Sequence, residues 1–150
     1  MTIAYRTALS SDRRFVVSAW SSSYKSANAA GMIWHEDWST IMHGQIEKLL
    51  DRPGIRTAIA YENTDPDFVY GFICGDTPDE PPVVMYVYVK EPYRKAGNAR
   101  GMFAELGFDP RGSFVYACRT AVVSRLADKI PRARWSPEVA RYPRNNREQK

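Results

Sequence analysis

The chain has 150 residues, enough for one domain with a single hydrophobic core. Hydrophobic residues make up 44% and charged residues 25%, which is typical of soluble globular proteins and leaves no apolar stretch long enough to span a bilayer. The N-terminal residues lack the apolar core of a signal peptide, so we expect a cytoplasmic protein with no membrane partner.

The net charge of +4 is unevenly distributed along the chain. Residues 1–118 hold 12 basic and 14 acidic residues, giving −2, whereas residues 119–150 hold 9 basic and 3 acidic residues, giving +6. A basic end is typical of a solvated tail, or of a surface for an acidic partner or nucleic acid, with Trp135 and Tyr142 as stacking residues. We interpret residues 1–142 as one domain and 143–150 as a basic tail, and expect no nucleic-acid partner.

The first third of the chain predicts a strand followed by two helices. Residues 3–8 have the composition of a short strand, and the serine and aspartate residues at 10–12 are candidate N-caps for a helix over 12–29. Apolar residues at helical spacing predict a second helix after Trp34 that runs to Leu50. Its predicted apolar stripe is Trp38, Ile41, Met42, Gln45, Ile46 and Leu49.

The middle of the chain predicts three antiparallel strands. Apolar and polar residues alternate over Ile55–Glu62, which favours a strand with one wetter face. Turn residues at 63–67 connect it to a strand over 68–74, forming a hairpin. An acidic loop over 75–82 follows, and the unbroken apolar run Val83–Val89 then predicts a buried central strand.

The segment after this apolar run predicts a turn and a helix that together suit an anion. Residues 91–92 end the strand, and 94–99 lead into 100–106, whose apolar residues recur at helical spacing. The first turn of a helix carries backbone N–H groups without helical partners and the positive end of the dipole, so phosphate binds there readily. Gly97 lets a ligand approach the backbone closely. The basic residues of this segment are Arg94, Lys95 and Arg100.

The end of the chain predicts a fifth strand over 113–118 and a last helix over 121–130. Proline residues at 131, 137 and 143 weaken the prediction of a further short strand there. Neither a repeat nor a low-complexity linker indicates a second domain.

The spacing of Arg94, Gly97 and Ala99 after a hydrophobic strand resembles the pyrophosphate loop of the GNAT superfamily of acyl-CoA-dependent N-acyltransferases. The predicted order of elements over residues 1–130 also fits that family; the alternative is an ordinary strand-to-helix turn with solvated basic residues. The resemblance implies an α+β fold, an α/β/α sandwich. Its central sheet would be mixed and mostly antiparallel, with flanking helices and a fourth strand that splays from the fifth.

The resemblance also implies a site for acetyl-CoA in the gap between the fourth and fifth strands. Backbone groups of Val87, Tyr88 and Val89 would hold the pantetheine arm, and the Val87 N–H would polarise the thioester carbonyl. The backbone of the turn would hold the pyrophosphate. The residues of this turn are Arg94, Lys95, Ala96, Gly97, Asn98, Ala99 and Arg100.

The implied reaction is direct transfer of an acetyl group from acetyl-CoA to a primary amine in a ternary complex, the acceptor being a protein lysine, an N-terminus or a small amine. Family members often place a general base at positions that are Val83 and Met85 here, and neither side chain titrates. The remaining catalytic candidates are the Val87 backbone and the hydroxyls of Tyr88, Tyr116 and Ser124.

The missing acid and base support a second hypothesis, a catalytically degenerate binding module on the same scaffold that contacts a protein or nucleic-acid partner through its basic C-terminal end. No metal is expected, because His35 and His43 have no cysteine at ligand spacing. Cys74 and Cys118 are expected to be buried thiols. A homodimer is among the oligomeric states left open.

Overall fold

The structure is a computed structural model of the chain. It describes residues 2–23, 35–76, 82–94, 98–108, 114–117 and 133–135. The elements in these residues are β1 (Ile3–Thr7), α1 (Arg13–Ser23), α2 (His35–Leu50), β2 (Ile55–Glu62), β3 (Asp65–Asp76), β4 (Val83–Val89), α3 (Asn98–Glu105), β5 (Phe114–Tyr116) and β6 (Ala133–Trp135). Short 3-10 helices precede α1 and follow β4, at Ser10–Asp12 and Glu91–Tyr93.

All the described strands lie in one mixed sheet, in the order of the sequence from β1 to β6. Each neighbouring pair from β1 to β4 is antiparallel, whereas β5 runs parallel to β4 and β6 runs parallel to β5. The predicted α+β class with a mixed, mostly antiparallel sheet is therefore confirmed. The short strand β6 forms in spite of the nearby prolines.

The two faces of the sheet carry side chains of different size. Residues that pair across neighbouring strands share a face, so the pairing shows which residues belong together. Large residues cover one face, where the ring of Phe72 on β3 meets Phe15 of α1. On the opposite face, Ala60 of β2 pairs with Gly71 of β3, and α3 packs against β1, β2 and β3. A Cβ at Gly71 would overlap the backbone of Tyr88, so glycine here permits the close approach of β4 to β3.

The prediction that β2 has one wetter face was wrong. Ala58, Ile59 and Ala60 are all buried, so both faces of the strand are covered. The reason is tertiary: α2 contacts β2 on one face and α3 contacts it on the other. Alanine on a strand carries no local signal that a helix will cover it.

The helix α2 runs to Leu50 as predicted, but its buried stripe is narrower than the sequence indicates. Ile46 is buried and Met42 and Leu49 are partly buried, whereas Ile41 is 49% exposed and Gln45 is also exposed. The helix packs mainly on α1 and also contacts β2 of the sheet.

The strand β3 is longer at both ends than the sequence indicates. It begins at Asp65, so only Asn63 and Thr64 form the turn of the hairpin. It ends at Asp76, so Gly75 and Asp76 lie in a strand and are buried, although the sequence placed them in a loop. Pairing with β2 and β4 supplies the hydrogen bonds that extend it.

Asp12 fixes the entry to α1, in keeping with its predicted role at a helix start. Its carboxylate accepts a hydrogen bond of 2.8 Å from the Leu9 N–H and pairs with Arg6 at 2.8 Å. The α-helix itself begins at Arg13 and is described to Ser23. Predictions for residues 24–34, Ser113, Cys118, the last helix with Ser124, and the basic tail lie outside the described residues.

Within the described part of the chain, no helix has the length and apolar character needed to cross a bilayer.

Candidate cofactor cleft between β4 and β5

Among the described residues, β5 pairs with two residues of β4. Val83 lies opposite Val115 and Val84 opposite Tyr116, and the Ala117 N–H donates to the Val84 carbonyl at 2.9 Å. Beyond Val84 the strand β4 continues for five residues, about 16 Å of extended chain, with no further pairing to β5 among the described residues. The continuation of β5 from Cys118 onward lies outside the described residues, so the predicted splay of the fourth and fifth strands stays a prediction.

A β-bulge lies in β4 directly after the two residues that pair with β5. Cys74 of β3 pairs with Tyr86, but the next residue, Gly75, pairs with Val84, so Met85 is the additional residue on β4. A bulge bends its strand and increases the local twist. The bulge thus changes the direction of β4 after the residues that pair with β5.

The hydrogen bonds at the end of β4 indicate which of its backbone groups point away from β3. The Lys90 N–H donates to the Tyr70 carbonyl of β3 at 2.8 Å. Because the backbone groups of an antiparallel strand alternate in direction, those of Val87 and Val89 point away from β3, while those of Tyr88 point towards it. The Val89 carbonyl fits this, since it accepts a 3.0 Å bond from Arg94 Nε. Of the three predicted pantetheine residues, two therefore have backbone groups that are directed away from β3.

The side chains of the β4 tyrosines lie on the face covered by α1. Tyr86 is buried and its ring stacks on Trp20 at 4.6 Å and 10°. Tyr88 is partly buried, and its ring meets Phe15 edge-on at 6.3 Å. Tyr88 is thus positioned on the α1 side of the cleft.

Tyr116 occupies the other face of the sheet. Its ring lies 6.1 Å from that of Phe114, which in turn meets Phe103 of α3 at 5.5 Å. Tyr88 and Tyr116 were both predicted as catalytic candidates, and the structure does not bring their hydroxyls together on one face. The third hydroxyl, Ser124, lies outside the described residues.

The helix α3 begins at Asn98, two residues earlier than the helical spacing predicts. Asn98, Ala99 and Arg100 therefore form its first turn, and this turn contains N–H groups without helical partners. The side chains of Arg94 and Arg100 are exposed at either end of this segment. Lys95, Ala96 and Gly97, the centre of the predicted turn, lie outside the described residues.

The first half of α3 rests on Tyr5 of β1. A Cβ added at Gly101 would overlap the Tyr5 ring, so only glycine permits this approach. Burial against the helix raises the pKa of the Tyr5 hydroxyl. The position of the start of α3 thus depends on a contact with β1, the first strand of the sheet.

The positions at which the family often has a base are both apolar and buried here. Val83 and Met85 lie in the core. Asp76 of β3 pairs with Val83 and is only 5% exposed. The sequence did not single out this carboxylate as buried, because it follows a glycine and precedes proline-rich residues typical of a loop.

Sequence reasoning also missed an aromatic cluster beside the turn. Phe68 and Tyr70 of β3 lie against Tyr93, the residue before Arg94. Alternating aromatic residues at 68, 70 and 72 were the available signal, since they place side chains on one strand face. Among the described residues, no group of three or more histidine, cysteine, aspartate or glutamate side chains is arranged to hold a metal ion.

The sequence matches no protein-family model and no curated protein, whereas solved structures share its architecture. The candidate acetyltransferase YycN from Bacillus subtilis is 18% identical over 85% of this chain and 90% of its own, with a TM-score of 0.60. The chain has the GNAT fold. The fold that the resemblance implied is therefore confirmed.

Two further structures illustrate the range of the GNAT fold. A candidate acetyltransferase from Clostridium acetobutylicum, solved with acetyl-CoA, is 15% identical over 85% of this chain and 88% of its own, with a TM-score of 0.57. A candidate GNAT-family acetyltransferase from Desulfovibrio desulfuricans is 18% identical over 70% of this chain and 63% of its own. Its TM-score of 0.44 is too low to support an argument.

Proposed function

We propose that this chain is an N-acetyltransferase that moves an acetyl group from acetyl-CoA to a primary amine in a ternary complex. The observation that carries the proposal is the edge of β4 that faces away from β3, where the backbone of Val87 and Val89 is directed. An extended pantetheine arm can pair with such an edge as a further strand would. The neighbour solved with acetyl-CoA supports the choice of co-substrate.

The proposed roles divide between strand and turn. The backbone of Val87 polarises the thioester carbonyl, and that of Val89 holds the pantetheine arm. The segment from Arg94 to Arg100 receives the pyrophosphate, where the first turn of α3 supplies N–H groups and arginine side chains supply charge. The acceptor must lose a proton before it attacks, since an ammonium has no lone pair.

Isothermal titration of the purified protein with acetyl-CoA tests the proposal, and saturable binding is the expected result. A variant, Gly97→Glu, is expected to abolish this binding, because the added carboxylate repels phosphate and the side chain blocks approach to the backbone. Gly44→Glu is the matched control, since Gly44 lies in α2 with open space where a Cβ would lie and the substitution changes the net charge equally. An absence of binding by the wild type would overturn the proposal.

One observation favours a second candidate function, a binding module that keeps acetyl-CoA but has lost turnover. The side chains of Val83 and Met85 are apolar and buried, so neither accepts a proton. Turnover assays with labelled acetyl-CoA and a panel of amines distinguish the two candidates. Label transfer supports the enzyme, and binding without any transfer supports the module.

A further inference from the structure

Three aromatic residues join the turn after β4 to the strand β3. We call them the turn clamp: Phe68 and Tyr70 from β3, and Tyr93 from the turn. The Tyr93 ring meets that of Tyr70 edge-on at 4.8 Å and that of Phe68 at 6.0 Å. Phe68 and Tyr70 also meet edge-on, at 5.1 Å. Edge-to-face pairs at these distances are favourable beyond the area that they bury.

The turn clamp is itself anchored to the β2–β3 hairpin. The Tyr70 hydroxyl donates a hydrogen bond of 2.5 Å to Glu62 on β2, and this bond raises the pKa of Tyr70 to about 12. The phenol therefore remains protonated, and a donor, throughout the neutral range. The Glu62 carboxylate also accepts bonds from the Thr2 N–H and the Thr64 hydroxyl. The clamp is thus attached to the hairpin through the bond from Tyr70 to Glu62.

The other side of the clamp controls the direction in which the chain leaves β4. The Tyr93 N–H donates to the Lys90 carbonyl at 2.9 Å, and the ammonium of Lys90 lies 4.5 Å from the centre of the Phe68 ring. Arg94 follows Tyr93 directly and bonds back to the Val89 carbonyl. Arg94 is therefore held between its bond to β4 and the ring contacts of Tyr93 with β3.

We infer that Tyr93 is a positioning residue for acetyl-CoA, and that the turn clamp holds Arg94 in place before the ligand arrives. The inference rests on the proposed function. A ligand that meets an ordered backbone does not have to order it, so preorganisation increases affinity without a new contact. Tyr70 of the clamp bonds to Lys90, three residues along the chain from Val87, where the acetyl group would be transferred. Loss of the clamp should therefore weaken binding and leave the chemical step unchanged.

Replacement of the ring tests the inference. Tyr93→Leu is expected to raise the Kd and the KM for acetyl-CoA by about threefold to tenfold, the scale of one or two aromatic pairs, with kcat and the KM for the amine unchanged. Tyr93→Phe keeps both edge-to-face pairs and should bind as the wild type does. Tyr61→Leu is the matched control, because Tyr61 is also partly buried and lies on β2, outside the clamp.

Equal acetyl-CoA affinities for Tyr93→Leu and the wild type would overturn the inference while leaving the proposed function intact. An equal loss in Tyr61→Leu would also overturn it, since the effect would then be one of general stability. Amide exchange without ligand gives a second readout: the Tyr93 and Arg94 amides should exchange faster in Tyr93→Leu. Unchanged exchange rates would contradict the clamp even if the wild type fails to bind acetyl-CoA, which is the separate failure of the proposed function.

Discussion

Gly101 lies where α3 crosses the ring of Tyr5, and its lack of a side chain permits this close contact. The helix approaches the sheet so closely there that a Cβ would overlap the phenol ring. Glycine within an exposed helix lowers the free energy of unfolding by about 0.5–1 kcal/mol relative to alanine. At this position the close contact with β1 offsets that cost, because it buries both the helix and the tyrosine.

Alanine substitutions at two glycines separate these effects. Gly101→Ala is expected to lower the free energy of unfolding by about 1–3 kcal/mol, since the added methyl group displaces Tyr5 or the helix. Gly44→Ala, in α2 with open space where the methyl group would lie, is expected to raise it by about 0.5–1 kcal/mol. Urea denaturation measures both values. Equal stabilisation by the two substitutions would show that α3 does not rest on Tyr5.

At the scale of elements, Glu62 joins the end of β2 to the N-terminal residues and to β3. The hydrogen bond from Tyr70 is the main cause that lowers the pKa of Glu62, and the bonds from Thr2 and Thr64 act in the same direction. A carboxylate with a lowered pKa stabilises the folded state above its unfolded pKa, and this stabilisation is lost as the pH falls through the folded pKa. The hairpin contact is therefore sensitive to acid.

Comparison with Glu62→Gln measures this contact. The wild type should be more stable than the variant at neutral pH, and the difference should remain constant down to the ordinary glutamate pKa of 4.5. Below that pH the difference should shrink as the carboxylate becomes protonated in the folded state. Urea titrations at a series of pH values test this. A difference that grows on acidification would contradict the assigned bonds.

At the scale of the whole molecule, the helix α1 connects the helical layer to the centre of the sheet. Trp20 is buried and stacks on Tyr86 of β4, while Phe15 meets Phe72 and Tyr88. These rings form the middle of the core on that face. Because β4 also borders the cleft, the same contacts hold the strand that the proposed co-substrate would pair with.

Truncation of Trp20 should therefore have a large effect on the molecule. Trp20→Ala is expected to lower the free energy of unfolding by about 3–5 kcal/mol, a large share of the roughly 5–15 kcal/mol typical of a domain. Ile41→Ala removes a side chain that is 49% exposed and should change stability by less than about 0.5 kcal/mol. Chemical denaturation followed by circular dichroism compares them. Similar small changes in both variants would contradict the placement of α1.

Several elements could be predicted because their signal is local. The apolar run of β4 has no charge before Lys90, so it predicted the strand bounds correctly. The end of α2 at Leu50 and the strand β2 were also correct, since helical spacing and period-two alternation are local patterns. The strand, turn and helix around Arg94 supported the resemblance to the GNAT fold for the same reason.

The working geometry of the cleft depends on residues far apart in sequence. Met85 forms a bulge only because Gly75 pairs with Val84, and Tyr88 and Tyr116 occupy opposite faces because of the partners of their strands. Register between strands is decided by packing on both faces and not by the composition of either strand. The sequence by itself thus determined that β4 is buried and that a helix follows it. Only the tertiary structure decided where β4 bends and which of its backbone groups point away from β3.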